Sequence, residues 1–302
     1  MNHPAFKIEL VDYAQQQQEL HAIRRDVFVQ EQHVPEEEEW DQWDPTSFHV
    51  LARDGDGQPI GTGRLTTQHR ISRMAVLKQW RRRGVGEAML QALITEARHR
   101  QWSGLILHAQ THVVSFYARA GFIPYGAKFL EAGIEHLRMR CNLQGATLVL
   151  GLAGAVAASL AVLAQANRSI CIYSRALDPG LWDHPSIIKT FRRYAVVKPP
   201  REVKVLLQDA AAPERAHSSL LGLAQRLSSS FSFRQVVDQA DLRFPSAYAI
   251  NDAGCSYYRP LGDRYDGEAC IQQPGRARQL QLEFDQVWDR SRPCSEYRIL
   301  KI

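Results

Sequence analysis

Residues 71–100 limit the possible folds of this chain more than any other stretch. Apolar residues between Ile71 and Val76 fill a short span, which predicts a strand, and from Val85 onward apolar residues recur every three or four positions, which predicts an amphipathic helix. Gly84 and Gly86 lie in the connecting loop. Glycines let a ligand approach the backbone closely, and the free N–H groups of a first helical turn favour an anion. The stretch therefore predicts an α/β fold with a phosphate-binding loop, although a tight turn without a ligand has the same pattern.

Two motifs in this order resemble those of the GNAT acetyltransferase superfamily. The loop Arg81-Arg82-Arg83-Gly84-Val85-Gly86 has the form Gln/Arg-x-x-Gly-x-Gly of the family's pyrophosphate loop, and neither a Walker lysine nor a third dinucleotide glycine follows it. After a predicted strand at 105–109, the segment 113–122, VVSFYARAGF, resembles the family's Phe-Tyr-x-x-x-Gly-Phe. The resemblance implies a mixed twisted sheet flanked by helices, with acetyl-CoA as co-substrate and an amine as acceptor.

The resemblance also implies which residues hold the coenzyme. The thioester carbonyl would bond to the backbone of the fourth strand, at Met74, Ala75 and Val76. The pyrophosphate would lie on the N–H groups of the loop and first helical turn, which are those of Arg81, Arg82, Arg83, Gly84, Val85, Gly86 and Glu87. Gln110 stands where many members have an asparagine at the end of the fifth strand, and it is the predicted contact with the coenzyme arm there.

Acyl transfer to an amine needs a base for the amine and an acid for the departing thiolate. In the family the acid is a tyrosine on the helix after the fifth strand, and Tyr117 falls at that position; a core tyrosine is the alternative. Some members use a fourth-strand glutamate as base, but this chain has Ser72-Arg73-Met74 there. Glu31 and His136 are the remaining candidates, although a single histidine on a strand is more often structural.

Two further segments extend the resemblance over residues 1–141. Val27 to Pro35 is followed by acidic and aromatic residues up to Asp44, and this segment is similar to one that lies beside the acceptor pocket in one GNAT branch. It predicts a pocket that attracts a cationic amine; a helix end followed by a solvated acidic loop is the alternative. A predicted hairpin at 127–139 has the branch's Phe-x-Glu-x-Gly-Ile-x-His-x-x-Met pattern.

Residues 142–302 are predicted to form a second α/β domain. The run 141–167 has no charged residue, but its Ala and Gly content favours a strand at 146–150 and a buried helix at 155–166 over a bilayer span. The order of elements beyond it loosely resembles one half of a phospholipase D-like fold. The stretch 245–252 lacks the histidine and lysine of that family's nucleophile motif, so we expect a domain without catalysis, retained for binding or dimerisation.

Cysteine spacing and charge predict the location of the protein and its kinds of partner. The five cysteines form no C-x-x-C pair and no zinc-like spacing, which predicts no metal site, and the absence of an N-terminal signal peptide predicts a cytoplasmic protein without membrane attachment. The first 140 residues carry equal numbers of basic and acidic side chains, so the formal charge of +5 lies in the remainder. This modest excess disfavours nucleic acid as a partner without excluding it, and a homodimer stays open.

Three functions are compatible with these observations. The first is an acetyl-CoA-dependent N-acetyltransferase with an accessory domain, acting on a small-molecule amine, a polyamine or a protein amine. The second is an acetyl-CoA sensor whose second half contacts a partner or nucleic acid. The third is a two-headed enzyme with an active phosphodiesterase half, which the missing histidine and lysine disfavour.

Overall fold

A computed structural model describes residues 6–197 and 201–297 of the chain. These residues form two compact units. One unit contains the described residues up to Thr111 together with Gly126–Gln144, and the other contains His112–Tyr125 and the described residues from Gly145 onward. Each unit is built on its own sheet with flanking helices, which confirms the predicted fold class of two α/β parts.

The first sheet has seven strands in the order β1-β2-β3-β4-β5-β7-β6. The strands are β1 Phe6–Val11, β2 Phe48–Asp54, β3 Pro59–Leu65, β4 Arg70–Val76, β5 Gly104–Gln110, β6 Ile123–Glu131 and β7 Ile134–Asn142. The helices of this unit are α1 Tyr13–Arg24, α2 Glu36–Glu39 and α3 Val85–His99, and short 3-10 turns lie at Asp44–Thr46 and Lys78–Trp80. Strands β1 to β4 are successive antiparallel neighbours, whereas β4 and β5 are parallel. The strand, loop and helix predicted over 71–100 are therefore confirmed.

Helices α1 and α3 cover opposite faces of the first sheet. Leu51 of β2 belongs to a buried cluster with Leu20 and Ile23 of α1. The preceding residue, Val50, points the other way because side chains alternate along a strand. It lies on the face where Gly63 of β3 approaches Leu93 of α3. The two helical stripes thus bury both faces of the central strands.

The second sheet has eight strands in the order β15-β11-β10-β9-β12-β13-β14-β8. They are β8 Thr147–Val149, β9 Ser169–Ser174, β10 Glu202–Leu207, β11 Phe231–Gln235, β12 Ala247–Asn251, β13 Ser256–Arg259, β14 Gly267–Cys270 and β15 Arg292–Pro293. The helices of this unit are α4 Val114–Arg119, α5 Gly151–Ala164, α6 Pro185–Ala195, α7 Ala212–Arg215, α8 Ser219–Arg226, α9 Gln239–Leu242 and α10 Pro274–Arg290. Strands β9, β10 and β11 are parallel neighbours at the centre, where their apolar side chains are buried.

The uncharged run folds as a strand and a buried helix, as predicted. It forms β8 and α5, and the residues of α5 from Gly154 to Leu163 are all buried. Helix α5 packs on α4, and the Gln165 side-chain amide donates to the Arg119 carbonyl oxygen at 3.2 Å. Among the described helices, none combines the length and apolarity required to cross a bilayer.

The secondary structure differs from the prediction at several positions. The helix expected at 18–32 is α1 followed by a π-helical segment, Arg25–Glu31, which carries the chain on to Glu31. Strands β11 and β14 were not predicted, because a Phe-Ser-Phe alternation in a serine-rich stretch and a glycine-led strand of four residues give weak β signals.

Candidate acyl-CoA site

Strands β4 and β5 pair only over the first two residues of β4 and then separate, which leaves a gap between them. Within the described residues, the register pairs only Arg70 with Ile106 and Ile71 with Leu107. Beyond these pairs, β4 continues to Val76 and β5 to Gln110 without further pairing to each other. A strand edge outside a ladder presents backbone N–H and C=O groups that an extended ligand can bind. The gap therefore brings the predicted thioester contacts Met74, Ala75 and Val76 to an open strand edge.

A bulge in β4 lies at the start of this gap. Thr62 pairs with Ala75 and Arg64 with Ser72, so Gly63 alone faces both Arg73 and Met74. Arg73 has a φ of +53°, and a Cβ on Gly63 would lie 2.5 Å from the Met74 sulfur. A bulge of this kind bends the strand and re-aims the residues that follow it. It turns the backbone just before the predicted thioester contacts.

The glycine loop has the backbone of an anion site. Gly84, which precedes α3, has a φ of +88° and no side-chain hydrogen bond that caps the helix, and Arg82 has a φ of +61°. The first N–H groups of α3 are thus presented at the end of the loop, where the helix dipole favours negative charge. Arg81, Arg82, Arg83 and Gly84 are all exposed, and the Arg83 guanidinium lies 5.1 Å from the centre of the Trp80 ring. These features fit a pyrophosphate group.

Two predicted site residues, Arg81 and Glu31, bind each other. The Arg81 guanidinium donates to both Glu31 carboxylate oxygens, at 2.6 and 2.5 Å, and its Nε donates to the Val76 carbonyl oxygen at 3.0 Å. This bidentate pair lowers the pKa of the Glu31 carboxyl. A carboxylate held in this way is a weak base, so the geometry argues against Glu31 as the general base. Through these contacts Arg81 connects the loop to the π-helical segment, at Glu31, and to the last residue of β4, Val76.

Gln110 and His136, predicted from distant parts of the sequence, meet at the end of β5. The two residues are direct partners between β5 and β7, and the Gln110 amide donates to the Gln32 side-chain oxygen at 2.9 Å. His136 is buried, and its Nδ1 lies 2.8 Å from the Ile134 carbonyl oxygen. Because a carbonyl only accepts, Nδ1 carries the proton in this contact.

A second histidine near the gap, His108, has no counterpart among the predicted residues. It stands one position beyond the last β5 residue that pairs with β4, and its Nδ1 lies 2.9 Å from the Glu131 carboxylate. Arg70 reaches the same carboxylate at 3.3 Å, and the imidazole lies edge-on against Phe129. Hydrogen bonding from His108 is the main cause that lowers the pKa of Glu131 to about 2. The signal for this cluster was the Phe-x-Glu-x-Gly-Ile-x-His hairpin, which supplies Phe129 and Glu131.

Three carboxylates of the acidic segment, those of Glu39, Asp41 and Asp44, are paired with arginines. Arg24 donates to the Glu39 carboxylate at 2.6 Å and to Asp44 at 2.8 Å. Arg64 donates to Asp44 at 2.7 Å and to Asp41 at 2.6 Å. Burial opposes the charge of Asp44, but the two guanidinium groups outweigh it and lower the pKa of its carboxyl. These three carboxylates are therefore already paired and attract an acceptor amine only weakly, and the predicted acceptor pocket stays a prediction.

Tyr117, the predicted acid, belongs to the second unit. It lies on α4, is 9% exposed, and packs edge-on against Phe116 and Phe122. Burial raises the pKa of its hydroxyl to about 12. Tyr117 therefore keeps its proton at neutral pH, which an acid requires.

Sequence relatives decide the family. The profile of the acetyltransferase (GNAT) domain matches residues 9–143. YjcF of Bacillus subtilis, an uncharacterized N-acetyltransferase, is 42% identical over 121 residues, which cover 39% of this chain and 86% of that protein. The chain belongs to the GNAT acetyltransferase family. As a GNAT protein it is an acyl-CoA-dependent N-acyltransferase, and an amine is its acceptor.

Other relatives match the same region. YyaT, an uncharacterized protein of Bacillus subtilis, is 33% identical over 123 residues, which cover 39% of this chain and 82% of that protein. An acyl-CoA N-acyltransferase of Pseudomonas aeruginosa, known from a crystal structure, is 26% identical and superposes with a TM-score of 0.42, covering 45% of this chain and 99% of that one. Residues 152–300 match a domain of unknown function, DUF7931.

Proposed function

We propose that this GNAT protein transfers the acetyl group of acetyl-CoA to a primary amine. The observation that carries the proposal is the gap between β4 and β5 next to the uncapped N-terminus of α3. The gap fits an extended acyl-pantetheine arm, and the loop fits the pyrophosphate. We assign the arm to the backbone of Met74, Ala75 and Val76, and the phosphates to the N–H groups from Arg81 to Glu87. Tyr117 keeps its predicted role as the acid, and this role rests on its motif.

Turnover by the full-length chain tests the proposal. Acetyl-CoA would be supplied with each of three acceptor classes: small-molecule amines, polyamines, and peptides with free N-termini or lysines. Release of the coenzyme thiol together with acetylated product in one class supports the transferase. Tight acetyl-CoA binding without turnover in every class would instead favour the sensor.

We further propose that residues 142–302 form an accessory domain without catalysis, beside a catalytic domain at 1–141. Asp252 stands in the stretch that resembles the phospholipase D-like nucleophile motif, but it accepts hydrogen bonds from the backbone N–H groups of Asn167 and Arg168, each at 2.9 Å. This contact gives the carboxylate a structural role at the start of β9. Hydrolysis of a phosphodiester such as bis(p-nitrophenyl) phosphate by the full-length chain would contradict it. The phospholipase D-like resemblance, a cytoplasmic location, a homodimer and the absence of nucleic-acid binding stay predictions.

A further inference from the structure

The proposed transfer needs a base beside the β4–β5 gap, and Glu31 is already bound to Arg81. Three side chains of the first unit near this gap can exchange a proton: His108 on β5, Glu131 on β6 and His136 on β7. Of the two imidazoles, that of His136 is buried, whereas that of His108 is half-buried. A base must reach a diffusing amine, so exposure favours His108.

The position of His108 along β5 also fits. Ile71 of β4 is level with Leu107, so His108 is the first β5 residue past the pairing. Met74 lies three positions beyond Ile71, and the bulge takes up one of them, which leaves Met74 about level with Ala109. With a rise of about 3.3 Å per residue, His108 lies within about one residue of the predicted thioester contact along the strand direction.

Glu131 sets the tautomer of the His108 ring. The carboxylate is ionised and can only accept, so the Nδ1 atom that lies 2.9 Å from it must carry a proton. Arg70, which also approaches Nδ1 at 2.9 Å, can only donate, and its hydrogen is received by the other Glu131 oxygen at 3.3 Å. The lone pair of the neutral ring is then on Nε2, away from the carboxylate. Phe129 packs against the ring, and Arg138 is the partner of His108 on β7.

We propose that His108 is the general base of the acyl transfer and that Glu131 is the residue that positions it. The inference rests on the proposed function. The acceptor ammonium loses one proton to Nε2 of His108, and the amine nitrogen attacks the thioester carbonyl carbon. The C–N bond forms, the C–S bond breaks, and the sulfur leaves with the electron pair. Of the two protons that the ammonium gives up in total, one ends on the coenzyme thiol and the other passes through His108 to solvent.

The test compares His108→Gln with His99→Gln, a matched change at an exposed position of α3, in the full-length chain. Turnover is measured with acetyl-CoA and an amine of the class that the wild type accepts, as a function of pH. We expect His108→Gln to lower kcat by about 10²-fold and to abolish the acidic limb of the profile, with acetyl-CoA affinity unchanged. We expect His99→Gln to match the wild type. An aromatic amine, which is already unprotonated at neutral pH, should lose much less rate than an alkylamine.

Glu131→Gln gives a second, independent readout. A neutral amide can present its NH2 group as well as its oxygen to the ring, so it no longer enforces the tautomer with the lone pair on Nε2. We expect kcat to fall less than in His108→Gln with the KM for acetyl-CoA unchanged, and Glu131→Asp, which keeps a carboxylate, to retain more of the rate. Full turnover and an intact acidic limb in His108→Gln would overturn the base. An unchanged kcat in Glu131→Gln, or a loss in Glu131→Asp as large as in Glu131→Gln, would overturn the positioning role. Absence of turnover in the wild type would instead overturn the proposed function, and this role with it.

Discussion

Replacing Gly84 by aspartate tests the phosphate loop with little steric disturbance. A Cβ at Gly84 would meet no atom within 4 Å, so the change adds a carboxylate and the strain of a φ of +88°. Gly57, in the turn between β2 and β3, offers a matched control because its φ is +81° and its Cβ would also meet nothing within 4 Å. Each variant should lose about 1–2 kcal/mol of folding free energy from the left-handed backbone. Only Gly84 adjoins the helix N-terminus that we assign to the pyrophosphate.

The size of the expected effect follows from charge repulsion. Two unit charges 4 Å apart near a protein surface repel by about 4 kcal/mol, and salt reduces this figure. We therefore expect the Kd for acetyl-CoA, measured by calorimetry, to rise at least tenfold in Gly84→Asp, which is about 1.4 kcal/mol. Gly57→Asp should bind like the wild type. An unchanged Kd in folded Gly84→Asp, or an equal loss in both variants, would refute the assignment of the loop.

Three other variants probe different parts of the account. Tyr117→Phe should keep acetyl-CoA affinity and lower kcat by about 10²-fold, with loss of the basic limb of the pH–rate profile; an unchanged kcat would make Tyr117 a packing residue. The pKa of Glu131 is lowered from 4.5 to about 2, so its contribution to stability is present above pH 4.5 and is lost as the pH falls towards 2. The free energy of unfolding in urea should fall more steeply between pH 4.5 and 2 in the wild type than in Glu131→Gln. Parallel plots of this free energy against pH for the two proteins would contradict the prediction. Arg24→Met removes one of the two guanidinium partners of each of two buried carboxylates, Glu39 and Asp44, and should cost about 1–3 kcal/mol in urea unfolding. Arg25→Met removes an exposed pair and should cost about 0–1 kcal/mol; equal costs would argue against the buried cluster.

Local sequence patterns predicted the elements that frame the site. The apolar spacing after Val85 and the glycine at 84 were sufficient to place β4, the loop and α3, because helix periodicity and loop glycines are local signals. The same holds for β9 and for the buried helix α5, which were predicted to within a few residues.

Long-range pairing could not be predicted in the same way. Arg64 and Arg73 lie on strands at least 20 residues from the carboxylates that they pair with, so the sequence of the acidic segment itself gives no sign of these ion pairs. Arg73 has a positive φ, which arginine rarely adopts, so its sequence gives no sign of this conformation. The bulge likewise depends on how β3 and β4 pair. The hairpin that bears Glu131 was recognised, but its contact with His108 depends on sheet order, which a single sequence does not give.

The unit to which α4 belongs decides whether the first part of the chain can be studied as a separate fragment. Sequence alone suggested a division near residue 141, whereas α4 groups with the residues from Gly145 onward and packs on α5. A fragment that ends at 141 would remove α5 and uncover α4, which carries Tyr117. Activity measurements therefore belong on the full-length chain.

Hydrogen exchange with and without acetyl-CoA tests most directly where the coenzyme binds. Backbone N–H groups that donate hydrogen bonds to the acyl arm and the phosphates exchange more slowly in the complex, because each is protected by its hydrogen bond. We predict that acetyl-CoA slows exchange in peptides that cover Ser72–Val76 and Gly84–Glu87, and leaves β9 to β13 of the second unit unchanged. Protection confined to the second unit, or no protection in these two segments at saturating acetyl-CoA, would contradict binding at the β4–β5 gap.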